Sequence, residues 1–89
     1  MQADAITLAS GLYYWYKQPD ILVFKTDLET DHDRTAIAPV LNAHPFILKW
    51  NVDKHDIDKV LRIVTSNLTA NDIIRLIQNE GYCCEELPD

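Results

Sequence analysis

The stretch from residue 46 to residue 65 is FILKWNVDKHDIDKVLRIVT. Large apolar residues occupy every second position from 46 to 52, which is the period of a half-buried strand. Residues 59–65 indicate a second strand, with Leu61 and Ile63 on one face. The polar residues from Asp53 to Asp58 favour a turn, so we predict a β-hairpin.

A strand and a helix are predicted before the hairpin. Residues 21–28 are rich in β-branched and aromatic residues and stop at an acidic stretch, which indicates a strand. Thr30 and Asp33 have the spacing of a capping box, and an apolar stripe with helical spacing follows, so we predict a helix to about residue 43. Pro39 should kink or shorten this helix, because proline lacks the N–H that bonds the carbonyl four residues back.

A second helix and a last strand are predicted after the hairpin. Thr69 and Asp72 repeat the capping-box spacing, an apolar stripe follows, and Gly81 stands where a left-handed C-terminal cap is expected. Residues 82–87 then have the composition of a short strand. The order from residue 21 onward is therefore strand, helix, strand, strand, helix, strand.

This order predicts the fold class. Right-handed crossovers place both helices on one face of a four-stranded antiparallel sheet. We therefore predict an α+β fold, a ferredoxin-like βαββαβ sandwich, over residues 21–89, with residues 1–20 as an N-terminal extension. With 89 residues in all, the chain has room for a single small core.

Charge and hydropathy narrow the expected partners. The net charge is -6 with no local cluster of Lys or Arg, so no nucleic-acid partner is expected. No apolar run approaches the ~20 residues that a membrane span requires. The first residues include Asp4 and no basic cluster, unlike a secretory signal. We expect a soluble cytoplasmic protein whose acidic surface suits a basic protein partner.

Catalysis is not expected either. No serine, cysteine or lysine stands in a recognisable nucleophile motif, and Gly11 and Gly81 form no phosphate-binding loop. The acidic residues from Asp27 to Asp33 resemble a calcium loop, but His32 occupies the glycine position, so favourable charges at a helix start explain them. The chain is therefore predicted not to be an enzyme and to need no cofactor.

From residue 21 to residue 87 the chain resembles the heavy-metal-associated domains of copper chaperones and metal-pumping ATPases. The resemblance lies in the element order, the loop lengths and these mostly fold-setting residues: Leu28, Ala36, Ile37, Leu41, Trp50, Asn51, Val52, Asp53, Ile73, Ile77, Gly81 and Tyr82. It implies the same fold, and it says little about activity because structural positions carry it.

In that family the loop before the first helix carries Met-x-Cys-x-x-Cys, whose thiolates bind Cu(I) or Zn(II). The resemblance places Leu28 at the methionine position, and Thr30 and Asp33 at the cysteine positions. The two cysteines, Cys83 and Cys84, are adjacent, so on a strand they should point to opposite faces and share no metal ion. We therefore predict no metal site in the monomer and a helix cap in place of the ligand loop.

The N-terminal extension contains an unusual density of large rings, at Tyr13, Tyr14, Trp15 and Tyr16. The sheet face opposite the helices is predicted to be largely apolar, with basic residues among the apolar ones: Ile21, Val23, Ile47, Val60, Val64, Lys25, Lys49 and Arg62. Such a face needs a cover. We predict that either the extension packs on it or a second copy of the chain does, as a homodimer.

Two functional hypotheses stay open. The first is a protein-interaction module that keeps the family's docking surface without metal, and its candidate partner surface comprises Asp27, Glu29, Asp31 and Tyr82. The second is a divergent copper-type metal carrier with non-standard ligands, either a cysteine at 83 or 84 shared across a dimer or the histidines. The metal content of protein purified without an affinity tag separates the two.

Overall fold

A computed structural model of the chain describes residues 19–88. The elements in this range are β1 (Asp20–Thr26), α1 (Asp31–Ala43), β2 (Ile47–Asp53), β3 (Val60–Thr65), α2 (Ala70–Asn79) and β4 (Cys84–Glu86). The strands pair antiparallel in one sheet, in the order β2-β3-β1-β4. The predicted ferredoxin-like βαββαβ fold is confirmed. No helix among residues 19–88 is long and apolar enough to cross a membrane.

The core lies between the sheet and the two helices. In the antiparallel register Phe24 of β1 pairs with Leu61 of β3, so their side chains share one face of the sheet. The fully buried residues of both helices belong to the same core cluster as this pair: Ile37, Leu41, Ile73 and Ile77. The two helices within residues 19–88 therefore lie on one face of the sheet, as predicted, and we call the opposite face the open face.

The first helix runs without interruption past its proline. It has Thr30 as N-cap and continues through Pro39 to Ala43. Because Pro39 has no N–H, the carbonyl of Thr35 lacks its helical donor. Both residues are exposed, so water can donate a hydrogen bond to that carbonyl. The predicted shortening by Pro39 is therefore wrong.

A β-bulge changes the side-chain pattern at the start of β2. Ile47 pairs with Thr65, whereas Lys49 pairs with Val64, so Leu48 is an extra residue in the ladder. Ile47 consequently packs against the core, and Leu48 is 56% exposed. The prediction that Ile47 lies on the open face is wrong, because a bulge shifts the alternation by one residue.

The open face of the sheet otherwise has the predicted mixture of apolar and basic residues. Ile21 pairs with Val64 in the ladder, and Val23 pairs with Arg62, so these four side chains are neighbours on that face. Ile21 is 65% exposed. The aromatic residues predicted to cover the face lie outside the described residues, and their role stays a prediction: Tyr13, Tyr14, Trp15 and Tyr16.

Candidate functional site

The β1–α1 loop is the segment that the resemblance aligns with a metal-ligand loop. Leu28, at the methionine position, is fully buried in the core. Its N–H donates to Thr26 Oγ1 at 3.2 Å, and that hydroxyl donates to the carbonyl of Lys59 at 2.6 Å. Leu28 is therefore a core residue that fixes the path of the loop, and Thr26 ties the loop to the β2–β3 turn.

Thr30 and Asp33, at the two cysteine positions, form the predicted capping box of α1. The Asp33 N–H donates to Thr30 Oγ1 at 3.0 Å, and the Thr30 N–H donates to Asp33 Oδ2 at 3.1 Å. The Glu29 N–H donates to the same carboxylate oxygen at 3.1 Å. The bond from the Thr30 backbone is the largest cause that holds the pKa of Asp33 below its ordinary value.

Tyr82 closes the site from the other side. Its hydroxyl donates to Asp33 Oδ1 at 3.2 Å, across 49 positions of sequence. Partial burial, followed by the bond to Asp33, raises the pKa of the Tyr82 phenol. Gly81, with a φ of 92°, makes the left-handed turn that carries the chain from α2 to Tyr82. Tyr82 and Asp33 were each predicted from the sequence as candidate site residues, but their contact was not predicted.

Asp27 joins the loop to the start of β4. Its Oδ1 accepts the Cys83 N–H at 2.8 Å, and its charge is the largest cause that raises the pKa of the exposed Cys83 thiol. Cys84 is buried on the opposite side, where burial raises its pKa to about 12. Cys83 is therefore exposed and Cys84 is buried in the core, so the two side chains point apart, as predicted.

We call residues 27–33 together with Tyr82 and Cys83 the loop end. It contains all four residues of the predicted partner surface. Glu29 and Asp31 are exposed on it, and Asp31 forms ion pairs with Arg34 and, at 3.4 Å, with Lys54. Asp27 and Tyr82 instead hold the loop end together through their hydrogen bonds. Asp27 is exposed as well, so the three carboxylates of this set are accessible and Tyr82 is half-buried.

Metal ligands do not cluster in the described part of the chain. No group of three His, Cys, Asp or Glu residues within positions 19–88 is arranged to hold a metal ion. Asp53 and Asp56, in the β2–β3 turn, accept the backbone N–H groups of His55 at 3.1 Å and Asp58 at 2.8 Å. These carboxylates therefore stabilise the turn, as polar turn residues do.

A groove between α1 and β2 was not predicted. It has a volume of about 530 Å³, and Arg34, Thr35, Trp50 and Val52 contribute to its lining. The Trp50 indole N–H donates to Asn42 Oδ1 at 2.8 Å and so connects the strand to the helix. The distance between a helix and its neighbouring strand leaves no periodic signal in a sequence, so sequence patterns could not reveal the groove.

No protein-family model matches the chain, and no curated protein is similar to it in sequence. Solved structures are similar in shape. The yeast copper transporter domain Ccc2a has a TM-score of 0.66 and 20% identity, covering 78% of this chain and 96% of that chain. The Cu(I)-loaded first domain of the human copper chaperone for SOD1 has a TM-score of 0.67 and 14% identity, covering 79% of this chain and 94% of that chain.

A third similar structure carries the family's name. The apo form of the HMA domain of the copper chaperone for superoxide dismutase has a TM-score of 0.65 and 14% identity, covering 99% of this chain and 79% of that chain. Sequence identities as low as these show a shared fold and do not show a shared activity. The chain has the fold of the heavy-metal-associated domains.

Proposed function

We propose that this protein is a non-enzymatic interaction module that docks on a protein partner through its loop end, without a thiolate-bound metal ion. The capping box carries the proposal. The side-chain oxygens of Thr30 and Asp33 accept backbone N–H groups at the start of α1, and Asp33 also accepts the Tyr82 hydroxyl. Its own hydrogen bonds therefore hold the loop end in one conformation. This favours docking because the loop end loses little conformational entropy on binding.

The charge of the loop end indicates the chemistry of the partner. Glu29 and Asp31 are exposed at the start of a helix, and Asp27 contributes a third carboxylate. Complementary charge steers encounter and fixes orientation, so a basic protein surface is the expected partner. The solved Atx1-Cu(I)-Ccc2a complex, which has a TM-score of 0.64 and 21% identity to this chain, supports the use of this fold in protein contacts.

Single charge reversals test the docking surface. Proteins that co-purify with the wild-type chain from its own cells are compared with those captured by Glu29→Lys, which reverses an exposed charge on the loop end. Glu86→Lys makes the same charge change at an exposed position of β4 and is the control. A partner retained by Glu86→Lys and lost from Glu29→Lys supports the proposal. Equal capture by both variants contradicts it.

A divergent copper-type carrier is the second candidate function, and one observation favours it. The exposed Cys83 thiol lies at the loop end, where a second copy of the chain would supply a second thiol. In that case protein purified without a tag contains one Cu(I) per two chains, and Cys83→Ser abolishes the metal. Metal-free protein that shows no Cu(I)-dependent dimer in a chelator competition excludes this function.

A further inference from the structure

We propose that the outer edge of β2 binds a second copy of this chain, whose own β2 adds antiparallel to it and joins the two sheets. β2 is an outer strand of the sheet, and its bounds are Ile47–Asp53. This surface is distinct from the loop end, and the inference does not depend on the proposed docking function.

Within residues 19–88, no strand pairs with the outer edge of β2. The Ser66 N–H donates to the carbonyl of Phe46 at 3.0 Å, and in an antiparallel ladder such bonded pairs alternate with non-bonded ones. From Ser66 backward, every second residue of β3 therefore bonds to β2, and these residues pair with positions 49, 51 and 53 of β2. The N–H and C=O groups of Trp50 and Val52 therefore point away from β3, toward the outer edge.

Space for the side chains of an added strand exists on the side of this edge that faces the helices. The groove of about 530 Å³ runs between α1 and β2, and both Trp50 and Val52 line it. Both side chains are half-buried and pack against the core. A strand that pairs with this edge would place its own apolar side chains next to Trp50 and Val52 and continue the apolar layer.

When a two-fold axis relates two copies of β2, the charges of one copy can lie opposite the opposite charges of the other. If the axis passes through Asn51, Trp50 of one copy and Val52 of the other form a pair joined by backbone hydrogen bonds. Lys49 of each copy then lies opposite Asp53 of its partner, on the open face. No described residue forms an ion pair with Lys49, and the Asp53 Oδ1 that caps His55 leaves Oδ2 available.

Other registers lose this complementarity. A centre on Trp50 places Lys49 opposite Asn51, and a centre on Val52 places Asp53 opposite Asn51. Only the centre on Asn51 forms two Lys–Asp pairs by symmetry. The occupant that the edge fits is therefore a copy of the same edge, since an unrelated strand has no reason to carry the same charges in this order.

The bulge limits how strong this contact is. Leu48 interrupts the regular ladder, so the pairing extends over about five residues of each copy, and bulges and charged residues are common on edges that avoid indiscriminate pairing. We therefore expect a reversible dimer, which forms in one register as protein concentration rises.

Hydrogen exchange on the full chain tests the edge directly. The amides of Trp50 and Val52 are expected to gain protection as protein concentration rises. The amides of Lys49 and Asn51, already bonded to β3, stay unchanged. Flat exchange at Trp50 and Val52, with sedimentation showing a monomer at every concentration, overturns the proposal, even if another protein is found to bind this edge.

Charge variants test the register. Lys49→Glu and Asp53→Lys each place like charges opposite each other, so each is expected to raise the dimer Kd by about tenfold. A mixture of the two variants forms heterodimers in which both pairs are again opposite in sign, and its Kd returns to that of the wild type. Circular dichroism of each variant shows that it is folded before the mixture is measured.

Arg62→Glu is the matched control. It makes the same charge change as Lys49→Glu on the same face of the sheet, but on β3, away from the edge. An unchanged Kd for Arg62→Glu supports edge pairing. If Arg62→Glu weakens the dimer as much as Lys49→Glu does, the copies meet through the open face and the proposed edge contact is wrong. If the mixed variants fail to associate, the proposed register is wrong.

Discussion

Replacement of both Thr30 and Asp33 by cysteine is expected to create a Cu(I) site at the loop end. The two side chains already meet, since each accepts the backbone N–H of the other residue within 3.1 Å. Two thiolates form a donor set that soft Cu(I) prefers. The free N–H groups at the start of α1 lower the thiol pKa values and so favour the thiolates.

The stability cost follows from the bonds that are lost. Loss of the capping pair costs about 1 kcal/mol, and the N–H groups of Glu29 and Thr30 and the hydroxyl of Tyr82 lose their acceptor on Asp33. Small domains have a total stability of about 5–15 kcal/mol, and a loss of about 1 kcal/mol lowers Tm by about 4–8 °C. Leu28 stays in the core, so the double variant is expected to fold with the same loop path.

Competition with a Cu(I) chelator measures the result. The double variant is prepared in a Cys83→Ser background, with the single Thr30→Cys and Asp33→Cys variants as controls, and it should bind Cu(I) more tightly than either. A folded double variant that holds Cu(I) no better than its single-cysteine controls refutes the alignment of this loop. The proposal that a helix cap stands in place of a metal site would fall with it.

Three further predictions concern the same end of the molecule. Leu28→Ala should lower the free energy of unfolding by about 2–5 kcal/mol and Leu28→Met by less than about 1.5 kcal/mol, and equal denaturant curves would contradict the core role of Leu28. In Asp33→Asn the pKa of Tyr82 should fall toward its ordinary value in an absorbance titration of the phenol; an unchanged pKa would leave burial as its cause. The pKa values of Asp33 and Asp72 are lowered by folding, so each carboxylate stabilises the fold above its unfolded pKa, near 3.8, and this contribution is lost as pH falls through the lower folded value. The wild type should therefore lose more stability on acidification than the Asp33→Asn, Asp72→Asn double variant, and parallel pH profiles would rule this out.

Local signals in the sequence account for what was predicted of the fold. Both helix starts have a threonine followed three residues later by an aspartate, and both form complete capping boxes, at Thr30 and Thr69. The hairpin and the element order follow from periodicity and turn residues in the same way. Each of these patterns lies within a few residues, so a sequence displays it directly.

Contacts between distant residues account for what was missed. Asp27 bonds to Cys83 across 56 positions, and Tyr82 bonds to Asp33 across 49. Both contacts depend on β4 pairing with β1, and neither changes the local pattern of the chain. The bulge at Leu48 was missed for a related reason, because an extra residue in a ladder is defined by the partner strand. Asp27 and Tyr82 were therefore predicted as a partner surface, although they bond within the protein.

The strand order governs when the sheet can be completed during synthesis. β1 is the first of the described strands but lies between β3 and β4, so its partners are residues 61–65 and 84–86. Pairing over such separations is slow, since the intervening chain must be closed into a loop. Until β4 leaves the ribosome, the carbonyl of Val23, which accepts the Leu87 N–H at 2.9 Å, lies on an open apolar edge. A strand of three residues, Cys84–Glu86, thereby protects the nascent domain from aggregation through this edge of β1.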